Sequence, residues 1–460
     1  MCLANRLAAF VSDLRFSDIP TDLVSDICLH ALDTIGVCLA STPLPYARSV
    51  RQLIEHEAGA GSSTAFGISG RFPVKNAGFY NACLGHGMDF DDSHLVAICH
   101  PSSTILPPVL ALAQLGQVDG ESAVTALIAG IEVMSRIGVA CGAALIGRGL
   151  HPTSACGSFG AAAAIAKLQK LTATETTAAL GMAGAMTGGL HQSTVDGTWN
   201  KCIHSGLAVQ AGFEATALAK AGFLGPASVL DGATGFIAAF AGLRVSDVGH
   251  TIVEDLGSRW EAGKLAYKLY PCCQALHPYA DCAIDLAREQ DLDLRGVERI
   301  DVRVGEVLGP ALCEPPTLKY RPPTPYAAKF SMPYVVASAL MHRCINIDSF
   351  SADAIADPAV LELADKVHYV FDPQYDEGMA LRGWLQVRRK DGRTFLRSTL
   401  ASRGTPENPW AAAEIIDKFL RNATPIIGAP RSRQLAELTP RLAASQDAGA
   451  LATLCQREAA

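Results

Sequence analysis

The sequence predicts a mainly α fold: a large helical domain made from both chain ends, interrupted by a smaller inserted α+β domain. Three observations carry this. Up to about residue 265, apolar residues recur at three-to-four spacing. Between about 270 and 403 that period gives way in places to strict alternation. From Pro409 the helical period returns through Ala412, Ile415, Ile416, Phe419 and Leu420, so the C-terminus is expected to rejoin the first domain. The expected boundaries are 1–265, 266–404 and 405–460. A chain of 460 residues exceeds one simple core. With 49% apolar residues, many Ala and Gly, and only 7% aromatics, it suits closely packed helices.

Each element has its own signal. Pro20 breaks the chain before a helix that Thr21 is expected to cap, running through Leu23, Ile27, Leu32, Ile35 and Leu39. A helix over 74–88 runs straight into an acidic cluster, and helices follow over 103–116 and 123–139. Residues 158–166 are almost all small, as near contact between helix backbones requires. Thr172 and Glu175 form a capping-box pattern at the next helix start. Farther on, Arg299 to Val304 alternates as a half-buried strand does. The run 385–390, then Asp391-Gly392, then 393–396, reads as a hairpin with a type I′ turn.

Composition also excludes functions. A net charge of −7 with no basic run leaves no footprint for nucleic acid or an anionic membrane. The start Met1-Cys2-Leu3-Ala4-Asn5-Arg6 lacks the apolar core of a signal peptide, and no apolar run reads as long and pure enough for a membrane span. The 14 cysteines are scattered without a CxxC pair, which fits reduced core thiols in a cytoplasmic protein.

The chemistry concentrates in Gly85-His86-Gly87-Met88-Asp89-Phe90-Asp91-Asp92-Ser93-His94, followed by Cys99-His100-Pro101-Ser102-Ser103. Three carboxylates and three imidazoles between His86 and His100 are costly to hold together unless chemistry uses them. Asp89, Asp91 and Asp92 could serve as acid–base groups or as magnesium ligands, although nothing Gly-rich that would cradle a phosphate accompanies them. The Asp89-Phe90-Asp91-Asp92 string also resembles the DxDD of class II terpene cyclases. His100 and His151 each precede a proline, which holds the histidine extended and can aim its imidazole into a cleft. Lys201 and His204, three apart, are expected on one helical face where they could grip an anion. Lys268 and His277 flank Cys272-Cys273 as a second candidate cation group. His191 and His250 lack supporting context and are read as structural.

Taken in order, these blocks resemble the MmgE/PrpD family. The resemblance rests on 85–93, His100-Pro101-Ser102, His151 with 157–162, 201–206, 268–273 and Ala328-Lys329-Phe330-Ser331-Met332-Pro333-Tyr334, and it covers nearly the whole chain. It implies a helical domain with an inserted α+β lid, a homodimer, no metal and no organic cofactor. By resemblance, active-site roles fall to Asp89, Ser93, His100, His151, Lys201, Lys268 and Tyr334. Members of the family include 2-methylcitrate dehydratase, cis-aconitate decarboxylase and iminodisuccinate epimerase. Each removes a proton or carboxyl group beside a carboxylate of a small polycarboxylate. Two positions depart from the family pattern: Ser103 stands where dehydrating members usually read Asp, and Ser93 replaces a more common Thr.

The expectation is therefore a cofactor-independent enzyme holding a small di- or tricarboxylate between helical domain and lid. Lys201 and Lys268 would bind carboxylates, with Ser93, His204 and His277 assisting. His100 or His151 would take the proton, Asp89 would orient a histidine, and Tyr334 would donate to a developing enolate. Epimerisation of the iminodisuccinate type is the preferred reaction, since it needs two bases and no leaving-group acid. Decarboxylation of cis-aconitate and dehydration of 2-methylcitrate are the alternatives. A DxDD-type or magnesium-dependent cyclase and a non-catalytic carboxylate-binding protein are more remote.

Overall fold

The computed structural model describes residues 2–57, 59–290, 292–376 and 381–457. The chain divides into two compact units, one of 1–191, 200–265 and 411–460, the other of 192–199 and 266–410. Two short segments depart from the expected boundaries. Residues 192–199 join the second unit because Thr324 Oγ1 donates to the Gly197 carbonyl at 3.2 Å. Residues 405–410 join it because Gly404 N–H donates to the Asn408 carbonyl at 2.8 Å, folding that turn back on itself.

The first unit is helical. Its elements include α1 (Thr21–Ser41), α2 (Val74–Gly87), α3 (Pro101–Ala113), α4 (Gly120–Gly147), α5 (Pro152–Leu168), α6 (Ala173–Ala185) and α7 (His204–Lys220). Pro20, not Thr21, holds the cap position of α1, since its extended backbone turns the chain directly into the helix. Helix α3 starts two residues earlier than the apolar period indicated. Pro101 fits the first helical position, where no N–H is needed, and His100 becomes its N-cap. Pro152 and His151 repeat this arrangement on α5. The capping box forms as drawn, Thr172 Oγ1 accepting from Glu175 N–H at 3.2 Å and Glu175 Oε2 accepting from Thr172 N–H at 2.8 Å.

Small residues set the helix spacing. A Cβ on Gly130 of α4 would stand 2.7 Å from Ala164 Cβ, and one on Gly160 of α5 would stand 2.7 Å from Met134 Cβ. Helices α1 and α4 are, contrary to the sequence reading, long and apolar enough to cross a membrane, yet 83% and 89% of their apolar windows are buried inside the protein. Their apolar surface is used by the core. Arg136 of α4 pairs with Glu132 at 2.5 Å and donates to the carbonyls of Glu254 at 2.6 Å and Arg259 at 2.5 Å, so its buried charge is fully bonded.

In the second unit, strands β1 (Val297–Val304), β2 (Val367–Phe371), β3 (Gly383–Arg389) and β4 (Thr394–Thr399) form one sheet in the order β2-β1-β3-β4. Strand β1 is parallel to β2 (Ile300 opposite Val367) and antiparallel to β3 (Ile300 opposite Val387). Val297, Ile300, Val302, Val304, Val367, Leu385 and Val387 form a core with α8 (His277–Glu289) and α9 (Met332–His342). The hairpin between β3 and β4 forms, but its turn is not type I′. Gly392 alone in the turn has positive φ (+86°), while Arg389 and Arg393 pair across it and the Arg389 carbonyl accepts from Gly392 N–H. That is a type I turn closed by a glycine bulge, which needs one left-handed residue instead of two.

The chain then returns to the first unit as α10 (Ala412–Leu438), which packs along α1 where a Cβ on Gly36 would meet Phe419 at 3.0 Å. All 14 cysteines are in the reduced thiol form, and Cys344 is the exposed one.

Candidate active site

The acidic cluster is buried. Helix α2 ends at Gly87, and Asp89 takes a left-handed backbone conformation (φ +57°) that turns the chain back under the helix. Asp is among the residue types that tolerate this region. Asp89, Asp91 and Asp92 are each at most 1% exposed. Carboxylates so placed require partners, and each has a different one.

Asp91 serves the imidazoles. Its Oδ2 lies 2.9 Å from His86 Nδ1 and its Oδ1 lies 3.6 Å from His100 Nδ1. Asp92 grips the start of α3: Oδ1 accepts from Ser102 N–H at 3.1 Å, and Oδ2 accepts from the Ser102 hydroxyl. Asp89 instead binds Lys201, with Nζ 2.6 Å from Oδ1. Asp91 is the carboxylate beside His86 and His100, while the Asp89 charge also acts on His191, against burial and the Lys201 charge, which lower its pKa. Lys201 sits in a short 3₁₀ turn (Asn200–Ile203) that runs directly into α7 at His204, and it already holds a carboxylate of the protein. Burial disfavours the Lys201 charge, but Asp89 and then Asp91 outweigh burial and raise its pKa.

His100 is partly open, its side chain 13% exposed. Its Nδ1 lies 2.8 Å from the Asp92 main-chain carbonyl and 3.2 Å from Ser93 Oγ. A carbonyl only accepts, so Nδ1 carries the hydrogen and Nε2 keeps the lone pair. Ser103 points elsewhere, toward Ser205 Oγ at 3.3 Å, so its difference from an Asp lies in a helix contact.

His151 caps α5 and stands among other imidazoles. Its Nδ1 is 2.9 Å from His204 Nδ1, and its ring centroid is 5.3 Å from His86, 5.3 Å from His191 and 6.3 Å from His100. His191, read as structural from sequence, belongs to this group. His151 N–H donates to the Gly189 carbonyl and His191 N–H to the Gly149 carbonyl, and this tiny ladder sets the two histidines side by side. Burial first, then the Lys201 charge, pushes His151 well below the usual histidine range and holds His191 and His204 at about 4. These imidazoles are neutral at pH 7. His94, the remaining imidazole of the motif, bonds Glu261 at 3.2 Å.

These depressed values make stability depend on pH. His191 and His204 have folded pKa values near 4 against an ordinary 6.5, so below about pH 6.5 the unfolded chain binds protons that the folded one refuses. Stability is complete above that pH and falls toward pH 4, by up to about 1.4 kcal/mol per pH unit for each group. Urea unfolding at pH 7 and pH 5 should show this slope, flattened in the double variant His191→Gln with His204→Gln. A stability unchanged between the two pH values would refute it.

Among the described residues, His86, Asp91 and His100 could by proximity hold a metal, with ligand atoms within 4.8 Å of one another. The hydrogen bond to the Asp92 carbonyl takes His100 Nδ1 out of that donor set and leaves the ring's lone pair on Nε2. A carboxylate between two imidazoles also matches a hydrogen-bonded triad.

The structure thus gathers Asp89, Ser93, His100, His151, Lys201 and His204 in the first unit. Lys268, His277 and Tyr334 belong to the second. Lys268 and His277 are fully buried, with the His277 ring 5.1 Å from Tyr270, and their part in the chemistry rests on the resemblance. Tyr334 is withdrawn as an enolate donor, because its buried hydroxyl donates to the Ser349 carbonyl at 2.5 Å. Residues that sequence reasoning missed are His30 and Asp33 on α1 and Lys418 on α10. His30 Nδ1 lies 2.9 Å from Asp92 Oδ2, and Lys418 Nζ bonds Asp33 at 3.0 Å and the Phe90 carbonyl at 3.1 Å. A signal existed: Asp26, His30 and Asp33 recur on one face of an otherwise apolar helix.

Neutral imidazoles beside a buried Lys–Asp pair are groups of the kind that enzymes use for proton transfer. Comparison with known proteins supplies the family. The MmgE/PrpD N-terminal domain model matches residues 5–246 and the MmgE/PrpD C-terminal domain model matches 270–442. This chain belongs to the MmgE/PrpD family. It is similar to a cis-aconitate decarboxylase-like protein, oryM, of Aspergillus oryzae, 27% identical over 98% of this chain and 97% of that protein. It is also similar to the cis-aconitate decarboxylases of Mus musculus (28% identical; 97% of this chain, 92% of the relative) and Homo sapiens (28%; 92% and 88%). The protein is an enzyme of the lyase kind.

Proposed function

We propose that this enzyme decarboxylates cis-aconitate, or an unsaturated tricarboxylate of the same kind, without a metal. The observation that carries this reading is end-to-end similarity to proteins named for that reaction. It favours the decarboxylation alternative over the epimerisation preferred from sequence. In the proposed reaction the C–CO₂ bond breaks, its electron pair moves through the adjacent double bond, and a proton is added at carbon. One proton is consumed for each CO₂ released.

The site supports each step. His100 presents Nε2 as the atom that delivers or takes a proton, since Nδ1 is held by the Asp92 carbonyl. Of neutral His151 and His204, whose Nδ1 atoms share one hydrogen, the ring that accepts carries its own hydrogen on Nε2 and offers that N–H to a carboxylate without needing to be charged. Lys201, with Asp89 to keep it protonated, supplies positive charge in a buried setting where it acts strongly on a developing anion.

Proton NMR of EDTA-treated enzyme in D₂O tests this, with cis-aconitate, 2-methylcitrate and iminodisuccinate in separate tubes. Itaconate signals carrying deuterium at one carbon, with CO₂ released in equal amount, are expected. Turnover of iminodisuccinate or 2-methylcitrate alone would replace this reading with epimerisation or dehydration. Activity that EDTA abolishes and a divalent metal restores would reject the metal-free chemistry.

A further inference from the structure

Beside the acidic cluster, a buried histidine has no part in the chemistry above. His30 of α1 is 1% exposed and lies between two carboxylates. Its Nδ1 is 2.9 Å from Asp92 Oδ2, and its Nε2 is 3.7 Å from Asp26, whose side chain is 38% exposed. We propose that His30 is a positioning residue for His100, acting through Asp92. This rests on the reading of His100 as the proton-handling group.

The argument is geometric. Asp92 Oδ1 accepts from Ser102 N–H at the start of α3, and its Oδ2 is shared by the Ser102 hydroxyl and His30 from α1. Its own carbonyl oxygen is the atom 2.8 Å from His100 Nδ1. Moving the Asp92 side chain therefore moves the acceptor that keeps the hydrogen on Nδ1 and the lone pair on Nε2. Without that acceptor His100 can take the other tautomer, with the hydrogen on Nε2, which then has no lone pair with which to take up the proton it passes to carbon. The surroundings keep His30 able to donate on both sides. Burial alone would lower its pKa, but Asp26, Asp92 and Asp33 raise it, with the Asp33 charge shared by Lys418. Helix α1 and the acidic loop are thus joined by a charged contact between His30 and Asp92, far apart in sequence.

Two variants separate the two faces of the ring. His30→Asn places an amide donor near the Nδ1 position and keeps the Asp92 contact, whereas His30→Gln extends its amide toward Asp26 and loses it. Expected for His30→Gln is a fall in kcat of roughly tenfold or more with KM nearly unchanged, well short of the ~10⁴ that follows loss of an orienting carboxylate. His30→Asn should retain most of the wild-type kcat. Nitrogen-15 NMR of histidine-labelled enzyme, assigned with His100→Gln, provides a readout independent of turnover. Wild type and His30→Asn should show His100 protonated at Nδ1, and His30→Gln should show the Nε2 tautomer growing in. Equal kcat in the two variants, or an unchanged His100 signal in His30→Gln, overturns the proposal. If wild type turns over none of the substrates while the tautomer shift occurs, the functional reading fails and the positioning role stands.

Discussion

Replacing His100 by Asn is expected to lower kcat for cis-aconitate by about 10²–10⁴-fold while KM moves little. Its amide stands near the Nδ1 position and can reproduce the hydrogen bond to the Asp92 carbonyl, so the loop should hold its shape, but it has no basic nitrogen at the open end of the side chain. The loss therefore measures proton transfer and not folding, and an unchanged melting temperature would show it. His250→Gln is the control, since His250 is exposed on a surface helix. A His100→Asn enzyme within threefold of wild type would remove His100 as the proton-handling group and transfer that role to His151. Each itaconate formed in D₂O should still carry one deuterium, because every turnover consumes one solvent-derived proton, so the rate of labelled product falls with kcat while its deuterium content does not.

Lys201→Met should be the most destabilising single change in the site. It leaves Asp89 buried without its cation, and breaking such a pair by removing one partner costs about 3–5 kcal/mol. Urea midpoints would measure it. The variant also removes the positive charge that lowers the pKa of His151, His191 and His204, so all three should titrate closer to neutrality. Adding Asp89→Asn to Lys201→Met should recover much of the stability, because no unpaired charge remains and Asn tolerates the left-handed backbone at this position. It should not recover activity. If the double variant is both stable and active, the Lys–Asp pair is a structural feature and the anion is held elsewhere.

Much of the fold and of the site is legible in the amino-acid sequence. The helical period marks α1 and α2 to within a few residues and the starts of α4 and α10, both of which run farther at their C-terminal ends, and the alternation around Ile300 marks a half-buried strand. The three His-Pro pairs, at His100, His151 and His277, stand at helix starts, because proline is favoured in the first turn. The density of acids and imidazoles marks 86–100 as the site, since such groups are held together only where they are used. These signals share one property: they are written within a few residues of each other. The turn at Gly392 shows where even local reading stops, because one glycine serves either a type I′ turn or a bulge and the flanking strands choose.

The tertiary structure alone decided which charge meets which. The sequence offers Asp89, Asp91 and Asp92 as near equals; packing gave the first to Lys201, the second to His86 and His100, and the third to Ser102 and His30. Lys418 reaches Asp33 across 385 positions, and His191 meets His151 through a ladder too short to leave a period. Local propensity sets which residues a helix presents, through rules of turn and cap that depend on near neighbours. Partnerships between buried charges depend on how whole helices pack, and the energy of each pair exists only once water has been excluded from both members.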